Sequence, residues 1–170
     1  MAHYAQLGVD NIVVKVWTLD NINSMTVGGI EKDEIGQAYL KEHHGDLTLI
    51  KCSYNTHQGV HVLGGTPLRA NFPGPGSYYN STHDIFHDPI PFDKDGDSCT
   101  SWTLNTTTGV YEAPVTRPTE AQCKYTISGV EHAYRVNWDE TNKKWTGTRL
   151  AADPVTTWDW NTGTSSWDAQ

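Results

Sequence analysis

Ser101-Trp102-Thr103-Leu104-Asn105-Thr106-Thr107-Thr108-Gly109-Val110-Tyr111-Glu112-Ala113-Pro114 decides how the chain is read. Strand side chains alternate between faces, so Trp102, Leu104 and Tyr111 are expected together on one face of a β-hairpin. Asn105 opens the turn, since its short side chain can bond backbone two residues on. Gly109 allows the positive φ that a tight loop requires. Pro114 ends the second strand because it has no amide hydrogen to give to a ladder.

The pattern recurs. Tyr79-Asn80 leads to Phe86, Leu104-Asn105 to Tyr111, Trp138-Asp139 to Trp145 and Trp160-Asn161 to Trp167. A register slide of two residues would keep every side chain on its face, so the aromatic grouping does not depend on the register. The rings Trp102, Tyr111, Trp138, Trp145, Trp158, Trp160 and Trp167 are therefore expected as packing or interface aromatics. The competing reading is a row of rings that stacks on sugars. The copies are unevenly spaced, which excludes a strict solenoid period.

The 170 residues carry 12 Lys and Arg against 20 Asp and Glu, a net charge of −8. That balance repels phosphates and, with no basic run, argues against nucleic acid as partner. No apolar run has membrane-spanning length, and no charged segment followed by an apolar one opens the chain, so neither a membrane span nor a signal peptide is expected. Cys52, Cys99 and Cys123 are odd in number and lack a CxxC pair, which argues against a disulfide framework or zinc knuckle and leaves room for one bridge.

In chain order, Tyr4 to Leu7 and Ile12 to Trp17 are read as a first hairpin with its turn at Gly8-Val9-Asp10-Asn11. Residues 20–29 are read as a loop. Residues 31–44 are the one helix expected: Ile35, Ala38 and Tyr39 share a face, acidic Glu31, Asp33 and Glu34 stand near the start, and His43 and His44 near the end. Gly45 stops it and Gly36 weakens it. Leu47 to Tyr54 is read as a strand and Gly59 to Leu63 as another. The fold class is mainly β, with antiparallel hairpins or small sheets and one short α-helix. Phe72-Pro73-Gly74-Pro75-Gly76 divides it into a β-hairpin-plus-helix unit, 1–72, and aromatic hairpin repeats, 73–170.

Asp93-Lys94-Asp95-Gly96-Asp97-Ser98 resembles the start of a calcium loop, with Asp93, Asp95 and Asp97 as candidate metal ligands. Its twelfth position is Leu104 rather than Glu, and its sixth is Ser98 rather than Gly, which favours a polar surface turn. His83 and His87, with Asp84 and Asp88 nearby, lack a third ligand fixed by spacing. The chain has no GxSxG elbow, no glycine-rich phosphate loop followed by Lys, and no HExxH. It is read as a non-enzyme with no required cofactor.

A family likeness runs through the same residues. Met1-Ala2-His3-Tyr4-Ala5-Gln6-Leu7 with Asn11-Ile12-Val13 resembles the MAHFA-x-L opening of small virion structural proteins of marine tailed phages of the T4-like cyanophage type. Gly36-Gln37-Ala38-Tyr39, Ser53-Tyr54-Asn55, Tyr79 with Asp84-Ile85-Phe86, and Pro89-Ile90-Pro91-Phe92 follow in order. Ser101 to Leu104, Tyr111 to Pro114, and Trp138-Asp139-Glu140 with Trp145 complete a patchy likeness over residues 1–147. Residues 93–100 are an insertion and the hairpin 156–169 an addition. The resemblance implies a virion protein made in a host cytoplasm. It would serve in head decoration, neck or tail fibre, with other virion proteins or repeated copies of itself as partners and no catalytic residues. The alternative is a receptor-binding fibre tip that grips host glycans through Trp158, Trp160 and Trp167.

Overall fold

The computed structural model describes residues 1–23, 28–152 and 154–170. The chain divides into a first unit, Met1–Pro89 with Leu104–Val110, and a second, Ile90–Thr103 with Tyr111–Gln170. Strands in small antiparallel sheets dominate both, and the one α-helix among the described residues lies in the first. The mainly β reading holds.

In the first unit β1 (Ala2–Leu7), β2 (Val13–Leu19) and β3 (Thr48–Cys52) pair antiparallel in the order β2-β1-β3. The central strand is apolar on both faces, and alternation sends its residues to two different cores. Ala2 and Tyr4 join Leu19, Leu40 and Leu49, while Ala5 and Leu7 join Val13, Cys52 and Phe86. Helix α1 (Asp33–His44) supplies Leu40 to the first of these cores. The helix begins two residues after the expected Glu31, whose carboxylate serves elsewhere. Lys51 Nζ on β3 is held by Glu31 at 2.5 Å and Asp33 at 2.9 Å, which ties the sheet to the start of the helix. Gly45, at φ 91°, ends the helix as read.

Gly36 has a stronger reason than weak helix propensity. A Cβ there would run into the Tyr4 hydroxyl, with the ring carbon Cζ only 2.7 Å away, and Tyr4 is 0 % exposed. The glycine lets the helix lie on the ring.

The second face of the sheet is covered by short irregular pieces. Hairpin β4 (Thr56–His57) and β5 (Val60–His61) turns through Gln58 and Gly59, both at positive φ. The strand expected over Gly59 to Leu63 is thus only two residues long: Val62 N–H still reaches Asn55 O across the hairpin, but the chain then turns back on His61, with Leu63 N–H on its Nδ1 and Gly64 N–H on its carbonyl. Hairpin β6 (Tyr78–Asn80) and β7 (Ile85–His87) pairs Tyr79 with Phe86.

Residues 68–72 run between these hairpins. Thr56, 0 % exposed, accepts Leu68 N–H through Oγ1 and Phe72 N–H through its carbonyl. Asn71 Oδ1 accepts Gln58 N–H at 2.8 Å. Its Nδ2 donates to Phe86 O at 3.0 Å, Thr108 O at 2.9 Å and Gly109 O at 3.2 Å. The last two belong to the tip of hairpin β8 (Thr103–Asn105) and β9 (Val110–Glu112). This is how residues 104–110 enter the first unit.

The expected boundary at residues 72/73 is corrected on the same evidence. Val13 N–H donates to Ser77 O, Gly76 N–H to Val13 O, and Ile12 bridges Tyr78, so residues 73–89 complete the first unit. Phe72-Pro73-Gly74-Pro75-Gly76 is a turn inside it.

The second unit opens its sheets with a hairpin the sequence reading missed, β10 (Lys124–Ile127) and β11 (Val130–Ala133), which turns through Ser128 and Gly129 at φ 52° and 81°. Then β12 (Arg135–Asp139), β13 (Lys144–Arg149), β14 (Thr156–Asn161) and β15 (Ser166–Ala169) form a four-stranded meander.

The packing at Gly36 makes a counter-intuitive prediction. Alanine is favoured over glycine inside a helix by about 1 kcal/mol. Overpacking a filled core costs roughly 1–3 kcal/mol. Gly36→Ala is therefore expected to lower the melting temperature, and pairing it with Tyr4→Phe, which removes the clashing hydroxyl, to recover part of the loss; thermal denaturation of the three proteins checks this.

Candidate functional site: a row of tryptophans

The hairpin repeat becomes a row in the second unit. Trp138 pairs with Trp145 and Trp160 with Trp167. Thr146 pairs with Asp159, which sets Trp145 beside Trp160 at the next step. Four indoles thus stand in one line across four strands on one face. Trp138 and Trp145 are 3 % and 6 % exposed and form a core with buried Cys99, against which Trp102 and Trp160 pack. Trp102 meets both edge-on, at ring separations of 5.9 and 5.8 Å.

Along the same face, two residues on, Val136, Gly147 and Trp158 form a second line. Gly147 has no side chain, and its space is taken by the Trp167 and Tyr134 rings, each within 3 Å of where a Cβ would stand. Those two rings stack at 4.7 Å. The Arg149 guanidinium lies 3.8 Å from the Trp158 ring centre and donates to the Tyr134 hydroxyl from Nε and Nη2. A cation on the indole face takes up the surface a sugar would need.

Most of these indole N–H groups end on protein. Trp138 donates to Glu140, Trp145 to Val115 O, Trp158 to Thr156 Oγ1 and Trp167 to Gln122 O. Trp102 Nε1 is buried without a partner among the described residues.

The expected face of Trp102, Leu104 and Tyr111 is corrected. Trp102 precedes β8, with its N–H on Cys99 O, and it packs in the second unit while Leu104 counts with the first. Tyr111 lies half-buried on β9. The turns follow one plan. Asn80, Asn105 and Asn161 each accept two backbone N–H groups of their loops through Oδ1, and Asp139 accepts Asn142 N–H. Each loop closes on a positive-φ residue: Asp84, Gly109, Lys143 or Ser165.

The Asp93 loop is a clamp in this structure. Asp93 Oδ1 accepts Asp95 N–H and Asp97 N–H, and Oδ2 accepts Glu140 N–H. Asp95 pairs with Lys94. The three carboxylates therefore do not converge, and no group of three His, Cys, Asp or Glu side chains suited to a metal occurs among the described residues. His83 and His87 are not brought together as ligands either: His87 stacks on Tyr78 and its Nδ1 meets Asp88 O.

Glu140 answers from the other side. Its carboxylate accepts Trp138 Nε1–H, Ser101 N–H, Ser101 Oγ–H and Thr100 Oγ1–H. Asp93 and Glu140 thus fasten the 93–101 loop and the Trp138 turn to each other reciprocally. Asp93 feels a desolvation that would raise its pKa, outweighed by the N–H groups of Asp97, Asp95 and Glu140, and the net shift is down. In Glu140 the Trp138 N–H leads, desolvation opposes it, and Ser101 and Thr100 complete a net lowering.

Cys52, Cys99 and Cys123 are all buried free thiols, so the bridge left open by their count is not formed. Burial pushes the Cys52 thiol up to about 12, against a weaker opposing bond to Ala5 backbone. A thiol held protonated in this way is a packing group rather than a nucleophile.

Both clamp carboxylates have folded-state pKa values below their ordinary 3.8 and 4.5. Their contribution is present in full above those ordinary values and is lost as pH falls through the lower folded ones. Glu140→Gln is expected to lower melting temperature near neutral pH and to flatten its decline as pH falls below the ordinary glutamate value, as thermal scans across pH would show. Calcium or a chelator should leave the wild-type curve in place, since the Asp93 carboxylate is already held by three backbone N–H groups and does not converge with Asp95 and Asp97; a calcium-dependent rise abolished by Asp95→Asn would instead restore the cation reading. Comparison with protein-family models, with curated proteins and with solved structures finds no match.

Proposed function

We propose that the chain is a non-enzymatic structural component of a phage particle, acting through contacts between repeated subunits. The observation that carries this reading is where the motifs of the likeness fall. Ala2-His3-Tyr4-Ala5-Gln6-Leu7 is the doubly buried central strand, Gly36 is the seat of Tyr4, and Trp102, Trp138 and Trp145 are the core of the second unit. Part of the likeness thus falls on residues that build the cores, which supports a shared fold, and part, at Tyr54 and Phe92, on exposed residues. The role in the particle comes from the family it resembles. Exposed Tyr54, Val60, Val62 and Leu63 in the first unit offer apolar surface for such contacts.

The ring geometry favours packing over the glycan-tip alternative. Flat sugar stacking needs open, coplanar rings. Trp160 and Trp167 meet at 62°, and Trp158 is covered on one face by Arg149.

Two measurements test the reading. Purified particles should retain the protein through a density gradient at a copy number set by particle symmetry; its absence from particles would end the proposal. Truncating a fully buried tryptophan to alanine costs roughly 3–5 kcal/mol, and Trp160, half-buried, should lie near or below the lower end. Trp160→Ala is therefore expected to reduce stability and retention on particles together. Normal incorporation with lost adsorption to host cells would establish the glycan reading in its place.

A further inference from the structure

Three backbone N–H groups close on His61. Leu63 N–H and Gly65 N–H donate to its ring nitrogen Nδ1, at 3.3 and 3.0 Å, and Gly64 N–H donates to its carbonyl at 2.9 Å. The ring lies flat against Gly65, where a Cβ would stand 3.0 Å from Cε1 and 3.1 Å from Nδ1. The imidazole does for residues 61–65 what asparagine does in three hairpin turns of this chain. Asn80, Asn105 and Asn161 each hold on Oδ1 the N–H groups two and three positions ahead. His61 holds on Nδ1 those two and four positions ahead. An amide oxygen does not take a proton in water near neutrality, whereas an imidazole is the side chain that changes charge nearest that range.

We propose that His61 is a pH-operated latch on this loop. To accept two N–H groups Nδ1 must be bare, so the neutral ring carries its proton on Nε2. In the charged ring both nitrogens are donors, and Nδ1–H would face the N–H groups of Leu63 and Gly65. Those two bonds and the charged ring exclude each other, so protonation frees the loop. The hairpin that carries it stays anchored by bonds that take no part in the titration. Val62 N–H remains on Asn55 O, Gly59 N–H on Ala70 O, and buried Thr56 on Leu68 N–H and Phe72 N–H. What changes shape is residues 63–65, with Leu63 76 % exposed at their head. Thr56 opposes His61 on β4 and residues 62–65 wrap it, and none of these titrates. His57, the other titratable group of the hairpin, pairs with Val60, and alternation puts it on the opposite face. No carboxylate pairs with His61 among the described residues. The latch is a property of the single chain and stands or falls apart from the proposed role in a particle.

Nuclear magnetic resonance of the nitrogen-15-labelled protein tests the latch. While the ring is neutral, Nδ1 of His61 is expected at the shift of a bare ring nitrogen and Nε2 at that of a protonated one. On acidification the Leu63 and Gly65 amide protons should move upfield with the same midpoint as the His61 ring, while the Val62 amide stays in place. His61→Asn sets an oxygen where Nδ1 stands, as in the asparagine turns, and should hold the Leu63 and Gly65 amides in their bonded positions across the same pH range. His61→Ala should leave both amides in their released positions throughout. A neutral ring with its proton on Nδ1 overturns the proposal. So do Leu63 and Gly65 amides that stay in place while the ring titrates, or that move as far in His61→Asn as in the wild type.

Discussion

The Asn71 side-chain amide has two hydrogens and three carbonyl oxygens in front of it. Its own oxygen takes a fourth bond from Gln58 N–H. Four backbone groups that no strand ladder reaches are satisfied by one residue. Without it, the carbonyls of Phe86, Thr108 and Gly109 would have to find water where glycine lets backbones close up. Beside its three-stranded sheet, the first unit is built from hairpins of two- and three-residue strands, which have few ladder bonds to spare and are marginal alone. Side-chain anchors supplement the short ladders: Thr56 Oγ1 accepts Leu68 N–H, and Arg69 reaches both Asp84 and the Lys51 carbonyl.

The second unit solves the same problem differently. Its four-stranded meander is long enough to carry its own ladders, and its core is aromatic rather than aliphatic. Cross-strand aromatic pairs contribute beyond their buried area through edge-on geometry. The price is polarity at each ring edge, and four indole N–H groups are met by a carboxylate, a hydroxyl and two carbonyls. The Glu140 carboxylate shows how the 93–101 loop is integrated. It serves the Trp138 ring and the Ser101 backbone together, so residues 93–101 are fastened to the turn of the hairpin they pack beside.

Much of the fold was legible because it is local. An apolar residue followed by Asn or Asp and, six positions after that, an aromatic predicts a hairpin. The strand partners Tyr79–Phe86, Trp138–Trp145 and Trp160–Trp167 fall in that register. Gln58-Gly59 and Ser128-Gly129 are both two-residue turns with weaker cues than Asn-Gly: Gly59 is read from sequence as the start of a strand, and the Ser128-Gly129 turn is not read at all. Of the candidate site, the aromatic residues were legible as a class. The partners that define their roles, Arg149 on Trp158, Tyr134 on Trp167 and Glu140 on Trp138, were not, since nothing in their spacing marks them.

By itself, then, the sequence determined periodicity, turns, the helix and the parity that puts the tryptophans on one face, all set by φ/ψ preference and alternation within about ten residues. Tertiary structure alone decided which groups close on which. Asn71 is one asparagine among many until residues 86 and 108 arrive beside it. Asp93 reads as a cation ligand until three backbone N–H groups occupy it. Gly36 reads as a weak helix position until the Tyr4 ring lies beneath it. In each case the deciding contact joins residues more than a hairpin apart or uses backbone groups, and neither leaves a mark in residue type.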